Sequence, residues 1–566
     1  MPTVGVFVFC MPLTTTIDSS AQPVSSGGAR RPADGAASLR RHWPLALALA
    51  LVAVWVLVPA QLNPGQWGDH FEQFVWAHSL EWGYYKHPPL PTWLLAGLIA
   101  LFGPSPNWTY LLAALCTGGT AYFTYRIAGR LLPPGLVGLS MLLWGLQQAF
   151  SMRAQVFNHN TVMMVAVSAA AWCVLQAVAT RSSRWWWAAG LAAGAAMLSK
   201  YQSIVPLAGI VVGLVLTGEL RWRAAPQGTH QHTFQGTGQV TGQGTRRGLL
   251  LATTVAALVF APHWSWVVAH DFTTLRYAGQ GSQYLPWSER GLSLVSFLAQ
   301  QVRLLFPALL FALLLRFLPG RPSATASAAA APIDAESLAQ QQWRRAWLVA
   351  LVAFPLVVTL LTCPVFGLRL QNHWGYQCLQ FVSLWLAWSL RSLARRPSFS
   401  VAATALSVQL VAMGWWVGAQ WTGQAGATQR IDTSYPAKAL AAAVQRDWSR
   451  MTACPLKIVV GPSFEAGMVS TYLPNPPRVL EGGDFRKSPW VRADELQTLG
   501  AVYVATNPAD LPEHGVMVDS MLLHPDVGRD GGGGRVYWAI VPPPVCDQPP
   551  APPDAKTTLK ASARAS

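Results

Sequence analysis

Long apolar runs recur along most of the chain and constrain its fold more than any other feature. About eleven of them approach the roughly 17 to 25 residues that a helix needs to cross a bilayer. Only 11% of the residues are charged, against roughly 25% in soluble domains. This shortage excludes an ordinary soluble enzyme, a disordered scaffold and a fibrous protein, and it predicts an α-helical polytopic membrane protein with about 11 to 13 transmembrane helices. The runs lie at Trp43–Leu62, 107–126, 132–150, 158–179, 185–199, 201–218, 248–269, 291–317, 346–363, 375–394 and 399–421, with a shorter one at 89–103.

Basic residues predict the orientation, because Lys and Arg concentrate in the cytoplasmic loops of membrane proteins. If the run 89–103 does not cross, the basic clusters between the remaining runs all fall on one side. The N-terminus is then cytoplasmic and the C-terminus lies outside, which predicts a multi-pass protein of the bacterial inner membrane. The same clusters explain the net charge of +16, so no nucleic-acid partner is predicted.

Composition divides the chain into four parts. Residues 1–42 are predicted to form a disordered cytoplasmic tail, 43–421 the membrane domain with a first outer loop at 63–89, and 548–566 a second disordered tail. Residues 422–547 alternate a helical pattern with short β-rich runs, which predicts a small periplasmic α/β domain. Its predicted elements are a helix at Tyr435–Arg450 and strands at Leu456–Val460, Ala501–Thr506, Gly515–Leu523 and Arg535–Val541.

Two cysteines, Cys454 and Cys546, bracket nearly all of these strands. In an oxidising periplasm they can form a disulfide. The alternative is that Cys546, next to the Pro-rich tail, stays unpaired, and the sequence leaves both possibilities open.

Several cations lie on the predicted outer face, opposite to the positive-inside expectation. Ionisable residues at membrane level are costly, so a cluster of them predicts a functional site. Together they indicate a shared anion, for which a lipid phosphate is the natural candidate. They are Lys86, Arg153, Lys200, Arg276 and Arg369.

The first outer loop carries Asp69 and Glu72, followed by an aromatic stretch and a rigid His-Pro-Pro turn at His87–Pro89. A carboxylate at the membrane–water boundary can act as a general base toward a hydroxyl or amine. If 70–80 is helical, the two carboxylates share one face. The alternative is that Asp69 is only a helix N-cap.

Four segments, in this order, resemble the family 39-like glycosyltransferases, the bacterial relatives of protein O-mannosyltransferases and lipid A aminoarabinose transferases. The resemblance covers roughly residues 45–395. It departs from the family at His70, where a Glu is usual, and at Asn158 or Asn160, where an Asp is common. The segments are Gly68-Asp69 with Gly83–Leu90, Met197–Tyr201, Pro262–Trp266 with His270–Phe272, and Asn372–Trp374.

The resemblance implies a GT-C membrane fold and inverting transfer of a sugar from a polyprenyl-phosphate donor at the outer face. It assigns the catalytic base to Asp69 and phosphate binding to Lys200. The acceptor is a protein, lipid A or another envelope glycan, and membrane lipids are the remaining partners. The full set expected to bind substrate or phosphate is Lys86, Lys200, Arg276, Arg369, Glu72, His87, Tyr84, Tyr85, Asn160, His373 and Trp374.

No nucleotide-binding loop or tight metal-ligand spacing occurs in the sequence. A divalent cation stays open as a cofactor, because several histidines can approach the outer cavity. A transporter or flippase for a lipid-linked or anionic substrate is the alternative function. Transporters commonly show inverted repeats, and the sequence shows none.

Overall fold

The computed structural model describes residues 33–221, 242–281, 283–315, 338–391, 399–421, 433, 435–522 and 534–546. The chain divides into compact units at 1–43 and 44–566, and apart from the start of the first helix the features below belong to the second. The first helix begins at Ala33, ten residues before the predicted first span. Most of the predicted N-terminal tail and the whole predicted tail 548–566 lie outside the described residues.

Helices make up most of the described chain. Six are long and apolar enough to cross a membrane, at His42–Leu62, His159–Thr180, Gln243–Ala269, Trp287–Leu314, Leu338–Phe366 and Val401–Gly418. The predicted helical multi-pass membrane protein is therefore confirmed. Through the membrane part the helices are α1 Ala33–Leu62, α2 Gly68–Trp76, α3 Leu90–Phe102, α4 Asn107–Leu131, α5 Pro134–Gly145, α6 His159–Thr180, α7 Ser183–Ser199, α8 Ile204–Leu216, α9 Gly242–Ala269, α10 Thr273–Gly281, α11 Trp287–Leu314, α12 Leu338–Leu348, α13 Phe354–Phe366, α14 Gly375–Leu379, α15 Val382–Ser389 and α16 Phe399–Trp421.

Three predicted spans differ in detail from the helices that form. The run 132–150 forms α5, which starts at Pro134 after Pro133 and ends at Gly145, and then a separate 3-10 turn at Gln148–Phe150. The run 375–394 is interrupted between α14 and α15. A π-helical turn at Val349–Ala353 joins α12 to α13. The number of crossings and the orientation of the termini remain predictions.

A small sheet domain follows the last apolar helix. Strands β1 Ile458–Gly461, β2 Arg478–Glu481 and β3 Ala501–Ala505 are parallel, and β4 Val516–Leu522 and β5 Arg535–Val541 are antiparallel additions, in the order β2-β1-β3-β5-β4. Its helices are α17 Ala437–Met451, α18 Ser463–Thr471 and α19 Ala493–Leu499. Four strands and α17 match the prediction. Strand β2 was not predicted, because its apolar core is only Val479-Leu480 after two prolines.

The hydrophobic core of the sheet domain continues into the first loop. Phe71, Val75 and Trp76 on α2 are fully buried in one cluster with residues of the strands and of α17. Helix α18 packs directly on α2 at Gly467, where a Cβ atom would lie 2.8 Å from that of Phe71. Because a side chain there would separate the helices, the glycine allows the sheet domain to hold α2 in place.

Cys454 and Cys546 form a disulfide, with their Cα atoms 5.6 Å apart. The separation is within the usual range for such bonds. Of the two possibilities that the sequence left open, a disulfide or an unpaired Cys546, the structure contains the disulfide. The bridge ties the segment after β5 to the loop between α17 and β1.

Candidate active site

Asp69 lies in the first turn of α2. It does not cap the helix, since the N-cap position belongs to Trp67 and no side-chain cap bond forms there. Its carboxylate instead accepts a 2.7 Å hydrogen bond from the Asn158 amide nitrogen. A charge-assisted bond of this kind holds the carboxylate in one orientation.

Asn158 is itself fixed by the start of α6. Its side-chain oxygen accepts hydrogen bonds from the backbone N–H groups of Asn160 (2.9 Å) and Thr161 (3.1 Å). An asparagine cap of this type satisfies the free donors of a helix N-terminus. With the oxygen engaged, only the amide NH₂ can face Asp69, so the helix cap determines the polarity of the contact.

Lys200 ends α7 and is 9% exposed. Its ammonium donates a 2.8 Å hydrogen bond to the side-chain oxygen of Asn160. Burial lowers the pKa of Lys200 to about 8, although the charge of Asp69 works in the opposite direction. The Asp69 carboxylate binds Asn158, and the Lys200 ammonium binds Asn160, two positions further along the chain.

Lys86 and Glu72 form a partly buried ion pair beside this arrangement. The Lys86 ammonium also lies 4.0 Å from Glu481, the last residue of β2. Burial opposes the charge of Lys86, but the attraction of Glu72, Tyr85 and Glu481 raises its pKa above the ordinary value. Burial raises the pKa of Glu72 to about 7 even though Lys86 lowers it.

His87 and His159 lie in contact, with ring centroids 4.0 Å apart and ring planes tilted by 40°. Burial, with the charges of Lys200 and Lys86, holds the pKa of His87 well below its ordinary value. Among the described residues, Glu72, His87 and His159 are the set that could hold a metal ion, with ligand atoms within 4.8 Å of one another. Lys86 already binds that glutamate, and a cation there would face two nearby ammonium groups, so no metal enters the function proposed below.

A small cavity opens beside Asn158, the residue that binds Asp69. Arg153, Asn158, Asn160 and Tyr376 contribute to its lining. The Arg153 guanidinium lies 5.0 Å from the ring centroid of Trp67 and 5.6 Å from that of Tyr376. Stacking of this kind pre-organises arginine for planar anions.

His373 and His70 have different positions relative to this cavity. Burial lowers the pKa of His373 to about 3, and the charges of Lys200 and Arg153 act in the same direction, which places this ring near the same cations. His70 is a packing residue. Its Nε2 accepts a 2.8 Å hydrogen bond from the backbone N–H of Phe157.

The remaining predicted residues divide between the site and its surroundings. Tyr85 donates a hydrogen bond to Glu481 and touches the ion pair. Tyr84 is buried beneath the site, stacked on Trp76 with centroids 5.0 Å apart. Trp374 packs in a separate apolar cluster. Arg276 and Arg369 are not brought to the ion pair: Arg276 is exposed on α10, and Arg369 donates a 2.6 Å hydrogen bond to Gln283.

Glu481 is the site residue that sequence reasoning missed. Its signal is weak, an acidic residue between two apolar positions and a Gly-Gly turn. It follows, however, a general rule of α/β domains, in which functional groups gather at the carboxyl ends of parallel strands. Because β2 itself was not predicted, the sequence did not place Glu481 at the end of a strand.

Comparison with known proteins agrees with this fold. A family model described as dolichyl-phosphate-mannose-protein mannosyltransferase matches residues 86–231. The chain is 24% identical over 250 residues to the lipid A galacturonosyltransferase RgtD of Rhizobium johnstonii, covering 44% of this chain and 48% of the relative. The match therefore spans about half the length of that curated relative.

One solved structure is similar over nearly its whole length. ArnT from Cupriavidus metallidurans, bound to undecaprenyl phosphate, superposes with a TM-score of 0.50 at 15% identity, covering 88% of this chain and 98% of ArnT. The chain thus has the fold of the GT-C glycosyltransferases, a membrane helix domain followed by a small sheet domain. The predicted resemblance to the family 39-like members of this class is confirmed.

Proposed function

We propose that the chain is a membrane glycosyltransferase that moves a sugar from a polyprenyl-phosphate donor to an acceptor hydroxyl or amine, with inversion, at the outer face of the bacterial inner membrane. The observation that carries the proposal is the asparagine-linked pair of Asp69 and Lys200. A general base and a cation for the leaving phosphate are the two groups that a single displacement at an anomeric carbon requires.

In the proposed reaction, Asp69 takes the proton of the acceptor as its oxygen or nitrogen attacks the anomeric carbon. The bond from that carbon to the phosphate oxygen breaks, and polyprenyl phosphate leaves. Lys200 stabilises the charge that develops on the leaving phosphate, and Arg153, in the lining of the cavity beside Asn158, adds a second positive charge. Lys86 can contribute only by exchanging part of its contact with Glu72 for the phosphate.

The acceptor is proposed as a glycolipid of the lipid A kind or a protein. The relative from Rhizobium is named for lipid A, whereas the family model is named for protein, so both classes enter the test. Mass spectrometry of envelope glycans and glycoproteins from cells with and without the gene identifies the product that disappears. A change confined to one class assigns the acceptor.

The central test uses purified protein and a polyprenyl-phosphate-linked sugar. We expect release of polyprenyl phosphate by the wild type and a large loss of release by Asp69→Asn. Movement of the intact lipid-linked sugar across vesicles, without cleavage, would contradict the enzyme and favour a flippase.

A further inference from the structure

The sheet domain contributes one buried carboxylate to the loop that carries the predicted substrate residues. Glu481 is 4% exposed and ends β2. One of its oxygens accepts a hydrogen bond from the Tyr85 hydroxyl. The other accepts a hydrogen bond of 3.3 Å from the Trp76 indole N–H. A buried carboxylate is costly unless such donors surround it, so its position and its partners depend on each other.

The same carboxylate lies beside the ion pair. Its Oε1 is 4.0 Å from the Lys86 ammonium, so Lys86 stands between Glu72 on α2 and Glu481 on the sheet. The backbone N–H of Glu481 donates a 2.9 Å hydrogen bond to Ser488 Oγ. The backbone of Glu481 is thus anchored within the sheet domain, while its carboxylate binds residues of α2 and the first loop.

We propose that Glu481 is a positioning residue of the active site, through which the sheet domain holds Tyr85 and Lys86 for the donor phosphate. The inference rests on the function proposed above, and it makes the sheet domain an integral part of the site. Tyr85 and Lys86 precede the His-Pro-Pro turn directly, so a shift of either one moves that turn.

A double-mutant cycle in turnover tests this role, because residues that act through one contact show non-additive effects. The variants are Glu481→Ala, Tyr85→Phe and both together, assayed by release of polyprenyl phosphate. We expect each single change to lower kcat/KM, mainly through a higher KM for the donor. The kcat/KM of the double variant should be no lower than that of the less active single variant. The expected coupling is roughly threefold to a hundredfold.

Two further variants separate positioning from stability. Glu481→Gln keeps an acceptor for the Tyr85 hydroxyl, so it should retain more activity than Glu481→Ala. Glu495→Gln is the matched control, because Glu495 pairs with Arg478 inside the same domain at 2.9 and 3.0 Å, and it should leave the donor KM unchanged. If Glu481→Ala does not fold, Glu481→Met, which keeps most of the side-chain volume but offers no oxygen to Tyr85, replaces it in the cycle.

The outcomes are distinct. If the wild type is active and the effects of the two single changes on kcat/KM multiply in the double variant, the positioning role is overturned. The proposed function then stays intact. Equal effects of Glu481→Gln and Glu495→Gln on the donor KM also overturn it. A wild type that releases no polyprenyl phosphate rejects the proposed function and this inference with it.

Discussion

The amide of Asn158 donates a hydrogen bond of 2.7 Å to the carboxylate of Asp69, across 89 residues of sequence. An aspartate at position 158 would repel Asp69 instead of binding it. The contact orients the carboxylate through a neutral donor. This is the arrangement expected if Asp69 acts as the base of the proposed reaction.

Replacing Asp69 by asparagine should remove this base without disturbing the fold. We expect turnover to fall by about 10² to 10⁴-fold, the usual effect of losing a general base. The measurement is polyprenyl-phosphate release, with thermal unfolding as the check on folding. Asp271→Asn is the control, because Asp271 is exposed and has a left-handed φ of 53° that asparagine tolerates. Near-normal turnover of Asp69→Asn would refute the assignment.

Lys200 should make donor binding depend on pH. Its pKa is lowered to about 8, so the ammonium is present at neutral pH and is lost as the pH rises through that value. Affinity for undecaprenyl phosphate should therefore weaken toward alkaline pH. Lys200→Arg stays charged and should show a flat profile with weaker binding, and Lys200→Ala should bind poorly throughout. An identical pH dependence in wild type and Lys200→Arg would assign the titration to another group.

Removing one partner of the Glu72–Lys86 pair should lower the stability of the fold more than removing both. Removing one partner of a buried pair costs up to about 3 to 5 kcal/mol, less here because the side chains are 12% and 19% exposed. Glu72→Gln should thus lower the unfolding temperature in detergent. Adding Lys86→Met removes the unpaired ammonium and should restore part of the loss. A double variant less stable than Glu72→Gln alone would show that Lys86 is held mainly by Glu481.

The disulfide offers a test of both the sheet domain and its side of the membrane. It closes a span of 92 residues, which on the chain-entropy estimate stabilises the fold by about 4 to 5 kcal/mol. A membrane-impermeant maleimide added to spheroplasts should label Cys454 and Cys546 only after reduction. Labelling without reduction would mean that the bridge does not form in the cell. If the denatured, reduced protein labels but intact spheroplasts never do, the predicted external C-terminus is wrong.

Part of the site could be predicted because its signals are local. Asp69 and Lys200 were identified by where they stand relative to apolar runs and by short motifs, and both meet at the asparagines of α6. Arg276 and Arg369 were chosen by the same reasoning from charge and side of the membrane. That reasoning cannot say which loop cations converge, and the structure leaves both outside the ion-pair cluster.

The sequence by itself determined the membrane-spanning character, the resemblance to a glycosyltransferase class and the approximate extent of the sheet domain, because hydrophobic run length and motif order are properties of short segments. Only the tertiary structure decided how Tyr85 meets Glu481, 396 residues further along the chain. That contact exists because Gly467 lets α18 approach α2, which carries the end of β2 to the first loop. Packing between distant helices leaves no periodic trace in sequence, so the carboxylate that completes the site became visible only in the folded chain.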